Sequence, residues 1–156
     1  MKLKRFLFYL SHLTWGLPWT IISALIWLGI LLFYRKKIAE VKIICGRVCL
    51  LTERNVRMGG IGLGLFYATS ENTLHYHAHE LGHTVQSAYW GLLFPFIIGL
   101  PSLIRAALWG KIQERSYKKT GRYKDYEGVW FEAQATRLGH KYFAQKLRRL
   151  LKESDY

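Results

Sequence analysis

The stretch LHYHAHELGHTVQSAYW, residues 74–90, decides how this chain is read. Leu74, His77, Leu81, Val85 and Ala88 recur at helical spacing, and Ser70, Asn72 and Thr73 just ahead of them are residue types that cap a helix start. The pattern predicts a helix of four to five turns. Within it, His79 and His83 stand four apart in His79-Glu80-Leu81-Gly82-His83, which stacks both imidazoles on one face. Two neutral imidazole nitrogens so placed can ligate one Zn2+, with Glu80 beside the first ligand as the general base toward the metal-bound water. His75 lies four residues before His79 and His77 falls on another face; both are read as polar residues near the helix start.

A catalytic zinc site needs a third protein ligand and an open fourth position. Position 86 is Gln and position 89 is Tyr, where a metzincin would carry Gly and a third His, so the remaining ligand must come from elsewhere. Glu132 is the first choice. It opens Glu132-Ala-Gln-Ala135-Thr136-Arg-Leu-Gly139, in which positions 132, 135, 136 and 139 share a helical face that is otherwise all small residues. Such a face lets a second helix approach the one carrying Gly82 closely enough for a short carboxylate to reach a shared metal. Glu127 and Asp125 are the alternatives. His140, Tyr123, Tyr126 and Arg137 are the candidates for stabilising an oxyanion.

Working outward toward the amino terminus, 41–51 (VKIICGRVCLL) and 61–69 (IGLGLFYAT) read as two paired strands, with Glu53–Asn55 and Met58–Gly60 as turn material. Gly62 and Gly64 share a strand face, where another backbone or a substrate comes close, or where an edge strand twists. Cys45 and Cys49 are too far apart in a strand to bridge and lack zinc-ribbon spacing, so they read as small buried hydrophobes.

From Phe6 to Tyr34 there is no Asp, Glu, Lys or Arg in 29 residues, bracketed by Lys2, Lys4 and Arg5 and by Arg35, Lys36 and Lys37. This is membrane-embedded sequence, too long for a secretory signal. Gly16-Leu-Pro18 interrupts it, so it is either one tilted or kinked span, about 43 Å long if straight, or a re-entrant hairpin. The excess of Arg and Lys after it favours a cytosol-facing remainder. A second apolar stretch, 88–104, is broken by Gly91, Pro95, Gly99 and Pro101 and reads as a membrane-dipping loop or bent half-helix. From Trp109 to about Asp125 the chain is basic and polar, and from Tyr126 to about Lys152 it is helical again.

The whole chain has 156 residues, 51% of them hydrophobic, and a formal net charge of +13. Ten Tyr, eight Phe and six Trp exclude disorder, and the two Cys exclude a disulfide scaffold. Because the basic residues flank apolar segments, an anionic bilayer accounts for them and a nucleic-acid partner is not expected. The expected fold class is α+β: residues 1–37 as membrane anchor, and 38–156 as a small sheet, an HExxH helix and a Glu-bearing carboxy-terminal helix.

These residues resemble the gluzincin metallopeptidases, above all the membrane-anchored branch that contains heat-shock membrane peptidases and CAAX prenyl endopeptidases. The resemblance lies in HELGH at His79–His83 and an E-x-x-A-x-x-x-G segment at Glu132, Ala135 and Gly139, with Thr136 where that branch has Asp. The chain is also similar to small bacterial membrane peptidases with HE-x-G-H-x-x-Q-S followed by G-x-P-S, here His79 to Ser87 and Gly99 to Ser102. The resemblance implies a peptidase-like, zincin-like fold but supplies no substrate; with the one Zn2+ expected at the HExxH site, the apolar anchor implies a membrane hydrolase acting on peptide or protein substrates near the inner or cytoplasmic membrane. The competing expectation is a zinc-binding, non-proteolytic membrane protein.

Overall fold

A computed structural model describes residues 2–53 and 60–153. The expected turns at Glu53–Asn55 and Met58–Gly60 lie mostly outside them. Among the described residues the chain is α+β, with five α-helices around one four-stranded sheet. Helices α1 (Lys2–Leu13) and α2 (Leu17–Phe33) precede strands β1 (Ile38–Ile44), β2 (Arg47–Thr52), β3 (Gly60–Leu63) and β4 (Phe66–Thr69), and α3 (Leu74–Trp90), α4 (Leu100–Thr120) and α5 (Trp130–Glu153) follow.

Each of the two expected strands is in fact a hairpin. Cys45 (φ 53°) and Gly46 (φ 80°) turn β1 into β2, and Gly64 (φ 58°) opens the turn from β3 to β4, the backbone conformation tight hairpins require. An apolar run that continues across a two-residue turn gives no period-2 break, which is why each hairpin reads as one strand in sequence. The sheet order is β1-β2-β4-β3, with β2 and β4 parallel and both outer pairs antiparallel.

Alternation along the strands sends side chains to two separate cores. Cys49 and Tyr67 face Ala78, Leu81 and Leu147 of α3 and α5, whereas Leu50 and Ala68 face Ile30 of α2. The sheet is thus the middle layer between α2 and the α3/α5 pair. Burial raises the Cys49 thiol to about 11, as fits a small core residue. Tyr67 donates or accepts a 2.9 Å bond with His77 Nδ1, and His77 Nε2 meets Asn72 Oδ1 at 2.9 Å, so His77 is a satisfied core residue.

The amino-terminal apolar run is neither a straight helix nor an antiparallel hairpin: α1 and α2 meet at 82° at the Gly16 break. A Cβ at Gly16 would press on the Ser11 carbonyl oxygen at 2.9 Å, so glycine permits the sharp elbow. The elbow is docked, since Trp15 Nε1 donates to Ala88 O (2.9 Å) and Trp19 Nε1 to Gly91 O (2.6 Å). These indoles cap carbonyls left open at the end of α3. Arg47 is buried between the rings of Phe8 (3.8 Å) and Phe143 (4.5 Å), tying α1 and α5 to the sheet.

The 88–104 segment bends as its Gly and Pro residues suggest, through a 3-10 turn at Gly91–Leu93 and a π turn at Pro95–Gly99. The basic stretch after Trp109 is not an irregular tail, however. Its Lys, Arg, Gln and Glu residues are good helix formers and continue α4 to Thr120, where Gly121 ends it with φ 67°. By length and composition Pro95–Thr120 is long and apolar enough to cross a membrane.

Candidate metal centre

Thr73 caps α3, its hydroxyl accepting from Tyr76 N at 3.4 Å. From His77 to Ser87 every residue of α3 is buried, because α5 crosses it directly. The crossing is a glycine seam. A Cβ at Gly82 would collide with the Ala135 carbonyl, and one at Gly139 with the Ala78 carbonyl. The small face around Glu132 therefore does what its sequence implies, bringing α5 onto α3 backbone to backbone.

This approach delivers Glu132 to the two histidines. Glu132 Oε2 lies 3.2 Å from His79 Nε2 and 3.3 Å from His83 Nε2, and the two Nε2 atoms are 3.2 Å apart. The three atoms form a nearly equilateral triangle. Zinc–nitrogen and zinc–oxygen bonds of roughly 2.0–2.1 Å in a tetrahedral site require ligand–ligand edges of about 3.3–3.4 Å, which this triangle matches within about 0.2 Å. Glu132 Oε2 is also fully buried without a hydrogen bond. A buried carboxylate oxygen left unsatisfied while it faces two nitrogen lone pairs is the signature of a group waiting for a cation. His79, His83 and Glu132 could hold a metal ion.

The Gln86 acceptor sets the His83 tautomer, and the Thr136 hydroxyl can accept from His79 in the same sense. Gln86 Nε2 donates to Phe131 O (2.8 Å) and Gln134 Oε1 (2.9 Å), so its Oε1 must accept from His83 Nδ1 at 2.8 Å. His79 Nδ1 meets Thr136 Oγ1 at 2.8 Å. Donation from each Nδ1 leaves each Nε2 lone pair free for a cation. Thr136 thus orients the His79 imidazole, and Glu127 Oε1 lies 3.7 Å from the same Nδ1. Ser102, on the first turn of α4, donates to Glu132 Oε1 at 2.6 Å. Burial alone would raise the Glu132 pKa, but the adjacent imidazoles of His79 and His83 and the donated bond from Ser102 hold it well below the usual carboxylate range.

Glu80 is buried under strand β3. A Cβ at Gly60 would strike its carboxylate, and one at Gly62 its carbonyl oxygen. The close-approach pair is therefore Gly60 and Gly62, on one strand face; Gly64 sits in the turn instead, against the backbone of Thr20. Burial pushes Glu80 up to about 7, with the charge of His79 opposing and that of Glu132 adding. Its Oε2 has no hydrogen-bond partner.

The other candidate residues fall into place around this centre. Asp125 is exposed and caps the 3-10 turn Tyr126–Gly128 through Glu127 N (3.0 Å), so it stays outside the cluster. Glu127 pairs with His75 Nε2 at 2.7 Å. The His140 ring lies tilted at 42° to that of His75, with centroids 6.0 Å apart. Tyr123 is exposed and stacked on Tyr117, and Arg137 is exposed. Of the four oxyanion candidates, Tyr126 has a hydroxyl shifted by its surroundings: burial raises it to about 12, the Glu132 charge adding. Arg105 locks it by donating to Tyr126 O and Asp125 O, both at 2.9 Å. The positioning roles of Gln134 and Ser102 escape a reading of helical faces, because each comes from a different element than the ligand it serves.

Comparison of the sequence with family models and with curated proteins, and of the structure with solved structures, finds no match. Fold and site therefore define the class by themselves: an α+β chain with one apolar helix of membrane-spanning length and a buried His-His-Glu cluster able to hold a metal ion.

Proposed function

We propose that this chain is a membrane-associated zinc metallopeptidase of the gluzincin type, with a zincin-like core in residues 38–156 and a cytosol-facing site. The observation that carries the reading is the triangle of His79 Nε2, His83 Nε2 and Glu132 Oε2 beside the buried, unpartnered carboxylate of Glu80. Two imidazoles and one carboxylate favour zinc among common divalent ions. Bound there, zinc would supply Lewis acidity to the attacking water and to the substrate carbonyl.

The remaining work falls to side chains. Glu80 takes a proton from the water as its oxygen attacks the carbonyl carbon, and returns it to the amine as the C–N bond breaks. Tyr126, whose backbone carbonyl is held by Arg105, donates to the carbonyl oxygen as charge develops on it. Strand β3 is an edge of the sheet and passes directly over Glu80. An extended peptide adding to that edge through backbone hydrogen bonds would present its carbonyls to the site with little demand on sequence.

The test is zinc content of the detergent-purified chain by elemental analysis, with cleavage of a quenched fluorescent peptide library. About one zinc per chain is expected, lost in His83→Ala and weakened in Glu132→Ala. Glu80→Gln is expected to retain zinc and abolish cleavage. No zinc after supplementation overturns the metal centre. Zinc without Glu80-dependent cleavage overturns the peptidase reading and leaves a zinc-binding membrane protein.

A further inference from the structure

The two amino-terminal helices are built inside out. In α1, Leu3, Phe6, Leu7, Leu10 and Leu13 recur at helical spacing and are all exposed, while Ser11 and His12 are buried. In α2, Leu17, Ile21, Leu25, Leu28 and Leu32 form a second exposed stripe, while Ser23 and Ile30 are buried against the sheet side. A helix on a soluble fold turns its stripe the other way. The Trp15 and Trp19 bonds join this surface to exposed Leu92, Leu93, Phe96 and Leu100 beyond the end of α3. An apolar surface this continuous marks a contact with something other than water.

Helix α2 is not placed to cross a bilayer. Its seventeen residues span about 26 Å at 1.5 Å per residue, short of a hydrocarbon core of about 30 Å. More decisively, the sheet lies alongside it, with Thr20 against Gly64 and Ile30 against Leu50 and Ala68. Setting α2 across the membrane would carry the sheet in with it. The outer edges of β1 and β3 and the Glu40–Lys42 ion pair (2.7 Å) would then stand at hydrocarbon depth, where open edges and charges are not tolerated. Helix α4 has the length of a span, but Lys111, Glu114, Arg115 and Lys118 occupy its second half. That half is bound along the polar return segment, Gln113 to Lys124 at 2.8 Å and Ser116 to Arg122 at 2.9 Å.

We infer that the chain is monotopic: it lies on one face of an anionic bilayer, its outward α1 and α2 stripes and the 92–100 bend sunk into the interface, and no helix crosses. Amphipathic elements held this way sit about 5–10 Å into the headgroup and acyl boundary. The choice of a lipid surface over a second copy rests on charge. Arg35, Lys36 and Lys37 follow the α2 stripe and are exposed, and a net charge of +13 makes two such faces repel each other while anionic headgroups attract them. The metal cluster then lies on the same side of the bilayer as the sheet and α5. If the peptidase reading holds, its substrates are segments at headgroup depth.

The topology is read with single cysteines placed in a Cys45→Ser, Cys49→Ala background: one appended ahead of the amino terminus, Lys36→Cys, and Lys118→Cys. In sealed vesicles an impermeant maleimide should label all three, or protect all three, together. Protection of one site where another is labelled overturns the proposal, whichever helix is responsible. Purified chain should float with phosphatidylcholine vesicles containing phosphatidylglycerol, and Leu7→Glu/Leu28→Glu should abolish flotation with an unchanged far-ultraviolet circular dichroism spectrum. Undiminished flotation of that variant, or a stable detergent-free dimer that ignores vesicles, also overturns it. Zinc content is scored separately, so failure here leaves the metal centre standing, and the reverse.

Discussion

Replacing Gly139 by alanine should damage the metal centre from a distance. Gly139 touches no ligand; its Cα lies against the Ala78 carbonyl one residue before His79. An added Cβ meets backbone that cannot rotate away, so α5 must move off α3 by at least about 1 Å, at an overpacking cost of about 1–3 kcal/mol. Glu132 travels on α5, two turns before the point of contact. An outward shift of that size stretches the 3.2 and 3.3 Å edges of the triangle beyond tetrahedral geometry while leaving the His79–His83 edge on α3 intact. Zinc affinity should therefore fall by more than the 10–100-fold typical of losing an outer hydrogen bond, and the metal-free chain should melt several degrees lower. Competition against a chromogenic chelator and a thermal melt read the two effects. Gly110→Ala is the control, since nothing lies within 4 Å of its Cβ position in α4; it should leave zinc affinity unchanged and stabilise by up to about 1 kcal/mol. Wild-type zinc affinity in Gly139→Ala would refute the idea that the seam positions Glu132.

Thr136→Val and Gln86→Leu each remove the acceptor from a ligand histidine and should weaken zinc about 10–100-fold, read by the same chelator competition. Ser102→Ala frees Glu132 Oε1 and should lower zinc affinity about 10-fold with little change in secondary structure. Cys49, whose thiol is raised to about 11 from 9.0, keeps its proton in the folded chain where the unfolded chain loses it. Its stabilising contribution is whole below pH 9 and is lost as pH rises through 11, about 3 kcal/mol in all and most of it by pH 11. Denaturant titrations at pH 8 and pH 11 should show that loss in wild type and a smaller one in Cys49→Val.

Much of the centre was legible because helical spacing is geometric. A spacing of four between histidines brings their Nε2 atoms onto one face of any α-helix, and the small face of 132, 135, 136 and 139 announced a close helix contact whatever its partner. What the sequence hid was the partition of continuous apolar runs. Neither 41–51 nor 61–69 breaks its hydrophobicity at the turn, so Cys45-Gly46 and Gly64 passed for strand. Gly60 rather than Gly64 proved to be the residue over Glu80 for the same reason, since the strand ends at Leu63. The run 6–34 announced apolar surroundings but not their direction. Periodicity cannot tell a stripe that faces a core from one that faces lipid, and here the polar Ser23 and His12 turn inward.

That inversion bears on the site itself. The same α3 whose middle turns carry His79 and His83 has the carbonyls at its end capped by Trp15 and Trp19, and Glu132 is held by Ser102 from the first turn of α4. Both ends of the metal centre thus lean on the segments that present apolar stripes outward. Seating those stripes in lipid would fix the elbow and α4 at once, and through them the α3 carboxy terminus and the Glu132 carboxylate. Detergent that strips the interface should loosen this frame, so zinc affinity measured in anionic vesicles should exceed that measured in micelles. Thr136 and Gln86, bonded entirely within the α3/α5 pair, should contribute equally in both settings, because no part of their support comes from the membrane-facing helices.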